Sequence, residues 1–301
     1  MTQEWADGIE PAMLALGEVA LVDRGSGPAL LLLHGNGRTW QDWLPQLQTL
    51  PDRFRCIAYD QRGFGESTLN EDLLSLVQLA DDAAGVLHRL GIEHAYVAGI
   101  SMGAQVAQIL AQRYPHRVDG IVLGGSPYLP ADAELPQGQE VIADLGSMDD
   151  EQLRAYAEAS IGRLKQGGTT SQESTQTERD AVFEQFREMR DDPAVARLSR
   201  RRMCPEDLRR LQDYEHLDVP TLLVHGEADM LPVDGAVQMS RRIPGAQLAV
   251  LPGGGHIANG EPTAALFDQA VVEFIATRSS AGFSRSSCEP RSSGDAQAQH
   301  P

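Results

Sequence analysis

The segment Gly99-Ile100-Ser101-Met102-Gly103 carries the residues of this chain best suited to covalent chemistry. Ser101 occupies the centre of a G-x-S-x-G pattern, after an apolar run that predicts a strand and before a run that predicts a helix. Glycine permits the sharp turn that this junction needs, and the turn exposes the serine hydroxyl. The N–H groups of the following helix favour a developing oxyanion. Ser101 is therefore the candidate nucleophile.

A serine nucleophile needs a base to take its proton, and histidine supplies it in most such sites. The second half of the chain offers three candidates, which are His216, His225 and His256. His256 follows three glycines after the strand predicted at 247–251, so it lies on a loop at the carboxyl edge of a sheet, where α/β folds place their sites. His225 ends a predicted strand, a position that favours packing or a bond to backbone. We expect His256 to be the base.

The acid that orients the histidine should also follow a strand. Asp229 lies just past the strand predicted at 221–224 and is the favoured candidate. Glu227 is nearer to the strand, and Asp234 opens the next helix, where it could act as an N-cap. With Asp229 the chain order becomes serine, aspartate, histidine, which is typical of α/β hydrolases.

An oxyanion hole requires two backbone donors. Met102 N–H, directly after the nucleophile, is one candidate. We expect the second from the loop His34-Gly35-Asn36-Gly37, where Asn36 N–H is favoured and Gly37 is the alternative donor and pocket residue. Trp40 follows this loop and could line the acyl pocket, although its helical spacing favours a place in the core. His34 is expected to be a buried structural histidine.

Strand-like and helix-like runs alternate through the first half of the chain, which predicts a mostly parallel, doubly wound sheet. No strand is predicted between Leu129 and Tyr214, where amphipathic helical runs occur instead, and the sheet pattern resumes after them. The predicted organisation follows in chain order: an N-terminal part of the α/β core at 1–128, a helical insertion at 129–214, a C-terminal part of the core at 215–278, and a disordered tail at 279–301.

Four motifs stand together in this order: His34-Gly35-Asn36-Gly37, Asp60-Gln61-Arg62-Gly63-Phe64-Gly65-Glu66-Ser67, Gly99 to Gly103, and Gly254-Gly255-His256. With them, residues 18–277 resemble the capped branch of the α/β-hydrolase superfamily, which includes esterases, lactonases, C–C hydrolases and cofactor-free perhydrolases. The resemblance implies an α/β-hydrolase fold of about eight strands, with an α-helical cap inserted after strand 6. It also implies that Asp60 and Arg62 tie loops together. Related dehalogenases and epoxide hydrolases use an aspartate nucleophile, so the serine at position 101 disfavours their reactions.

The balance of charged residues limits the classes of partner that this protein can bind. The 301 residues carry 43 acidic and 25 basic side chains, a formal charge of −18 that repels phosphate backbones and anionic lipid. We therefore expect a small-molecule, ester-like substrate and neither a nucleic acid nor a membrane partner; the oligomeric state is left open. Three widely spaced cysteines and an N-terminus without signal-peptide character favour a cytoplasmic protein. Cys56, in an apolar run, is expected in the core.

Together these residues predict a serine hydrolase that cleaves a carboxylic ester, thioester or lactone of a small to medium, partly apolar molecule. The triad chemistry requires neither a metal nor an organic cofactor. Two further functions would use the same residues. One is a C–C bond hydrolase or a biosynthetic methyl-esterase or cyclase; the other is a non-catalytic small-molecule receptor or regulator on the same fold.

Overall fold

A computed structural model describes residues 12–14, 19–67, 75–130, 140–141, 145–165, 176–191, 202–203 and 205–280. Its strands, in chain order, are β1 (Ala12–Leu14), β2 (Val19–Arg24), β3 (Ala29–Leu33), β4 (Arg55–Tyr59), β5 (Ala95–Ile100), β6 (Val118–Gly124), β7 (Glu140–Val141), β8 (Arg202–Met203), β9 (Thr221–Gly226) and β10 (Gln247–Leu251). Its helices are α1 (Leu44–Thr49), α2 (Leu76–Arg89), α3 (Met102–Arg113), α4 (Asp150–Lys165), α5 (Gln176–Asp191), α6 (Pro205–Gln212), α7 (Val233–Arg242) and α8 (Ala264–Ser280).

Eight strands form one sheet in the order β1-β2-β4-β3-β5-β6-β9-β10. The β1–β2 and β2–β4 pairs are antiparallel, and every other neighbouring pair is parallel. The mostly parallel sheet of about eight strands is confirmed, with the short β1 as an addition that the pattern did not predict. Because parallel strands end at one edge, the loops after β3, β5, β6, β9 and β10 meet there.

Alternate residues of the buried strands supply the two faces of the sheet. Leu31 and Leu33 of β3 face one hydrophobic cluster, which contains side chains of α2, α3 and α7. Leu30 and Leu32 face a second cluster, built with side chains of α1 and α8. Helices on both faces confirm the doubly wound arrangement. Cys56 lies in the second cluster with no exposed surface, as expected, and burial raises the pKa of its thiol to about 12.

The described residues between β6 and β9 are mostly helical. Helices α4 and α5 pack on each other through Leu153, Ala157 and Phe183. Helix α6 lies against the sheet-covering helices: the Gln108 side chain of α3 donates to the carbonyl of Arg210 at 3.1 Å. The Asp207 carboxylate likewise accepts from the backbone N–H of Val77, in the first turn of α2, at 2.9 Å.

The prediction of no strand in this segment is wrong in one detail. Strands β7 and β8 pair antiparallel, but each has two residues, too few for an alternating pattern to show. One of the amphipathic helical runs in this segment covers 194–202; it lies outside the described residues except for Arg202, which belongs to β8.

The predicted start of the C-terminal tail at residue 279 falls inside a helix. Helix α8 continues to Ser280, two residues into the segment predicted as a disordered tail, and 281–301 lie outside the described residues. Within the described ranges, none of the helices is long and apolar enough to cross a membrane. The predicted division of the chain into core, cap and tail remains a prediction.

Candidate active site

Ser101 occupies a strained turn between β5 and α3. Its φ of 53° and ψ of −111° make it the one non-glycine residue with positive φ among the described residues. Such a conformation costs about 1–3 kcal/mol and persists only where surrounding contacts enforce it. Here the Ser101 N–H donates to the Gly124 carbonyl at 2.8 Å, which ties the turn to the end of β6. The Ser101 hydroxyl makes no capping hydrogen bond to the N-terminus of α3.

The two glycines of the pattern are required by close packing. A Cβ on Gly99 would lie 2.1 Å from the carbonyl oxygen of Gly103. A Cβ on Gly103 would lie 2.0 Å from the carbonyl oxygen of Leu33, at the end of β3. Helix α3 therefore approaches β5 and β3 at distances that only glycine allows. This packing places Ser101 at the carboxyl edge of the sheet.

Asp229 and His256 come together at the same edge. His256 Nδ1 lies 2.9 Å from Asp229 Oδ1, with the Asp229 side chain fully buried and the His256 side chain 15% exposed. The same Oδ1 accepts the backbone N–H of Leu231 at 2.8 Å. A carboxylate only accepts, so this geometry assigns the proton to Nδ1 and leaves Nε2 as a lone-pair base.

Backbone contacts between the loops after β9 and β10 hold this pair. The Ala228 N–H donates to the Gly254 carbonyl at 2.8 Å, and a Cβ on Gly226 would lie 2.3 Å from the same oxygen. The His256 loop also lies against the end of β6, since a Cβ on Gly125 would stand 3.2 Å from His256 Nδ1. The Ser101 N–H is hydrogen-bonded to Gly124, the residue before Gly125. Ser101 and the Asp229–His256 pair therefore lie at the same corner of the sheet edge.

The competing histidines and acid bind mainly to other groups, although His225 Nε2 also lies 3.9 Å from Asp229 Oδ2. His225 is buried, and its Nε2 donates to the Leu231 carbonyl at 2.9 Å, which confirms the expected bond to backbone. His216 is exposed and pairs with Asp213. The Glu227 carboxylate accepts the Gly253 N–H at 3.0 Å and so braces the loop before His256.

One predicted oxyanion donor follows Ser101 in the chain, and the other is next to Gly35, which lies close to Ser101. Met102 is the first residue of α3, so its N–H has no acceptor within the helix. Asn36 is half-buried on the loop after β3, between Gly35, where a Cβ would lie 3.8 Å from Ser101 Cβ, and Gly37, whose φ is 70°. Trp40 is 2% exposed and belongs to the hydrophobic core, the interpretation that its spacing favoured over a pocket wall.

His34 is buried beneath the Asn36 loop with both ring nitrogens engaged. Its Nε2 accepts the Gln61 N–H at 2.9 Å, so Nδ1 carries the proton and donates to the Gly35 carbonyl at 2.8 Å. The ring also meets Phe64 edge-on, with centroids 5.1 Å apart. Because both nitrogens bind backbone, His34 fixes the loop rather than facing a substrate, as expected.

Asp60 connects the two loops that follow β3 and β4. Its carboxylate accepts the Trp40 N–H at 2.8 Å and the Glu66 N–H at 2.9 Å. Arg62 is bound to Asp82 of α2, with Nε 2.6 Å from Oδ2. These contacts agree with the scaffold role that the family resemblance implied. Burial raises the pKa of the Asp60 carboxyl to about 6, although both backbone donors oppose the shift.

A buried polar network beneath the His256 loop was missed at the sequence level. Asn259 Nδ2 donates to the Asp42 carbonyl at 2.8 Å, and Gln46 Nε2 donates to the Asn259 carbonyl at 3.0 Å. Gln46 Nε2 also lies 2.8 Å from Asp268 Oδ1. The network ties the His256 loop to α1 and α8. A polar residue within an amphipathic helix, such as Gln46, carries no signal that distinguishes it from a surface residue.

Comparisons with known proteins agree with this fold. The family model of the alpha/beta hydrolase fold matches residues 28–263. A 2-(acetamidomethylene)succinate hydrolase of Mesorhizobium japonicum is 29% identical over 256 residues, which cover 84% of this chain and 90% of that protein. A 2-hydroxymuconate semialdehyde hydrolase of a Pseudomonas species is 29% identical over 285 residues, covering 88% and 92% of the two chains.

A solved structure is similar over nearly its whole length. The malate-bound thermophilic esterase of Thermogutta terrifontis superposes with a TM-score of 0.65 at 29% identity, covering 90% of this chain and 97% of that one. Because the family model spans more than half of the sequence, the chain belongs to the α/β-hydrolase family. Its homologues and structural neighbours include hydrolases of different substrates and an esterase, and this relationship supports a hydrolase.

Proposed function

We propose that this α/β hydrolase cleaves a carboxylic ester, thioester or lactone of a small to medium, partly apolar molecule. Ser101 attacks the carbonyl carbon while His256 Nε2 takes the hydroxyl proton, and the same imidazole returns that proton to the leaving alcohol or thiol. Asp229 holds the imidazole and stabilises its charged form. Water then attacks the acyl-enzyme with His256 as base, which restores free Ser101 and releases the acid.

The oxyanion of each tetrahedral intermediate is assigned to the N–H groups of Met102 and Asn36. Met102 belongs to the first turn of α3, and Asn36 belongs to the loop that the His34 ring ties to the Gly35 and Gln61 backbone. Fixed donors stabilise the developing charge without reorganising during the reaction, and each is worth about 100- to 1,000-fold in kcat.

The observation that carries the proposal is the hydrogen bond between His256 Nδ1 and the fully buried Asp229 carboxylate, at 2.9 Å. The bond leaves Nε2 as the basic nitrogen, at the sheet edge where the strained turn exposes Ser101. A surface ion pair would need neither the burial of Asp229 nor the backbone brace from Leu231.

We further propose that the helical segment between β6 and β9 is a cap over this site. Met230, the residue after Asp229, packs against the cluster that α4 and α5 form around Leu153 and Phe183. An apolar side chain next to the buried acid thus contacts the inserted helices. A cap in this position excludes water and shapes the substrate pocket.

C–C bond hydrolysis is the second candidate, and the 29% identity to a 2-hydroxymuconate semialdehyde hydrolase favours it over a methyl-esterase, a cyclase or a non-catalytic receptor. The same serine, histidine and aspartate would serve that reaction. Only the substrate distinguishes it from ester cleavage, so both reactions belong in one assay panel.

The test combines active-site labelling with turnover. The wild-type protein should react with a fluorophosphonate at Ser101 and hydrolyse p-nitrophenyl butyrate, a lactone or a vinylogous diketone over many turnovers. Ser101→Ala should lose the label and about six orders of magnitude in kcat, as in comparable triads. Ser126→Ala is the matched control, since the Ser126 hydroxyl is buried and finds no hydrogen-bond partner among the described residues. Near-normal turnover by Ser101→Ala would refute the mechanism, and labelling without turnover would favour a receptor.

A further inference from the structure

The loops that follow the parallel strands carry few positive charges. In 34–39, 60–67, 125–130, 227–232 and 252–260, the arginines are Arg38 and Arg62, and there is no lysine. Arg62 is occupied by its two hydrogen bonds to Asp82. Within these five loops, Arg38 is therefore the cation left to meet a ligand, in a protein whose net charge of −18 otherwise repels anions.

Arg38 and the candidate nucleophile both lie close to Gly35. A Cβ placed on Gly35 would stand 3.7 Å from Arg38 Cγ and 3.8 Å from Ser101 Cβ. The arginine stem and the serine side chain thus border the same point in space. Arg38 is also two residues from Asn36, the proposed oxyanion donor, so its side chain leaves the loop that faces the scissile carbonyl.

The guanidinium is held from one side only. Its Nε donates to Asp42 Oδ1 at 2.8 Å, where the Asp42 side chain is 6% exposed and the Arg38 side chain is 44% exposed. Asp42 is anchored in turn, because its carbonyl accepts the Asn259 side chain. Among the described residues, neither terminal nitrogen of Arg38 has a hydrogen-bond acceptor. A guanidinium oriented through Nε presents its two terminal NH₂ groups as a fork for a carboxylate.

We propose that Arg38 binds a carboxylate of the substrate, so the preferred substrates are anionic acyl compounds such as half-esters of dicarboxylic acids or lactones that carry a free carboxylate. This inference rests on the proposed function and assigns the substrate class of the same site. Arg38 is then a specificity-determining residue, which selects the substrate by charge without taking part in bond cleavage. The competing explanation is a purely structural ion pair with Asp42 that stabilises the loop.

The test uses two substrates of similar length, methyl hydrogen glutarate and the neutral methyl pentanoate, with proton release measured at constant pH. In the wild-type protein we expect the higher kcat/KM for the anion. In Arg38→Gln the ratio of kcat/KM for the anion over the neutral ester should fall about 10- to 100-fold, mainly through KM, because one charge-assisted bidentate contact is lost. Arg38→Lys, which keeps the charge but not the fork, should retain part of the ratio.

Arg55→Gln is the matched control, because Arg55 pairs with Asp23 at the opposite end of β4 and should leave the ratio unchanged. Equal losses for both substrates in Arg38→Gln would assign Arg38 to loop structure and overturn the inference while leaving the proposed function intact. Binding of glutarate, measured by calorimetry on the wild type and Arg38→Gln, needs no turnover. A wild-type protein that binds glutarate no better than the variant would overturn the inference independently, whereas a failure of the proposed function would appear as no turnover of either ester.

Discussion

The turn at Ser101 and the loops that surround it are held by different kinds of contact. At the turn, glycines 99 and 103 let backbone touch backbone, and the contacts join β3 and the residue after it to β5, β6 and α3. The surrounding loops depend on buried polar side chains that join residues far apart in the chain: Asp60 with Trp40, Asp229 with His256, and Gln46 with Asn259. The nucleophile is thus placed mainly by close backbone packing, whereas its partners also depend on hydrogen bonds between side chains.

This difference has physical consequences. Steric fit is insensitive to pH and intolerant of any added atom, because a packed backbone cannot move aside. Buried carboxylates tolerate changes of volume better, but they respond to protonation and to the loss of one hydrogen-bonding atom. Substitutions in the two regions should therefore fail in different ways, the first through stability and the second through activity or pH dependence.

Apart from the loss of the nucleophile itself, the largest expected effect is on the acid that orients His256. Asp229→Asn replaces the carboxylate that orients His256 while keeping its volume, and it should lower kcat by about 10⁴-fold because the imidazole loses its productive tautomer. Glu227→Gln is the matched control, since Glu227 was the nearest competing acid and binds only the loop before His256. Steady-state kinetics on one ester decides between them. A larger loss in Glu227→Gln would reassign the acid.

The second prediction concerns the close backbone packing at Gly103. Gly103→Ala should cost more than about 3 kcal/mol of unfolding free energy or prevent folding, because its Cβ would meet the Leu33 and His34 backbone at 2.0–2.7 Å. Gly85→Ala, in the middle of α2 with nothing within 4 Å of the new Cβ, should instead stabilise the protein by about 0.5–1 kcal/mol. Urea unfolding measures both, and equal stabilities would contradict the steric account.

The smallest expected effect is a pH dependence of the free energy of unfolding, which tests the role of the buried carboxylates. Burial raises the pKa of Asp60 from 3.8 to about 6, so the folded state binds a proton more tightly than the unfolded chain. The free energy of unfolding should therefore fall as pH rises from about 4 to 6, by at most about 3 kcal/mol, and then stay level. Asp60→Asn cannot titrate and should lack this step. Urea unfolding of both proteins at several pH values checks it, and a wild type that gains stability over Asp60→Asn as pH rises would contradict the sign.

Much of the fold and of the candidate site was predictable because it depends on neighbours in sequence. The strand before Ser101, the helix after it and the glycines on either side lie within a short segment, and their pattern predicts a strained turn. The buried, structural role of His34 and the backbone bond of His225 followed from their positions at strand ends. The two-residue strands β7 and β8 escaped prediction because their pairing joins segments 61 or more residues apart and leaves no periodic signal.

The amino-acid sequence by itself determined the chemistry on offer: a serine on a glycine-flanked turn, a histidine and an acid after later strands, and a chain order suited to one sheet edge. Tertiary structure decided which histidine and which carboxylate meet, how Gln46 braces the His256 loop through Asn259, and that the Arg38 stem and Ser101 both approach Gly35. The physical reason is the separation along the chain between the residues that interact. Backbone conformation follows from adjacent residues, whereas a hydrogen bond between loops exists only after the sheet has aligned its strands.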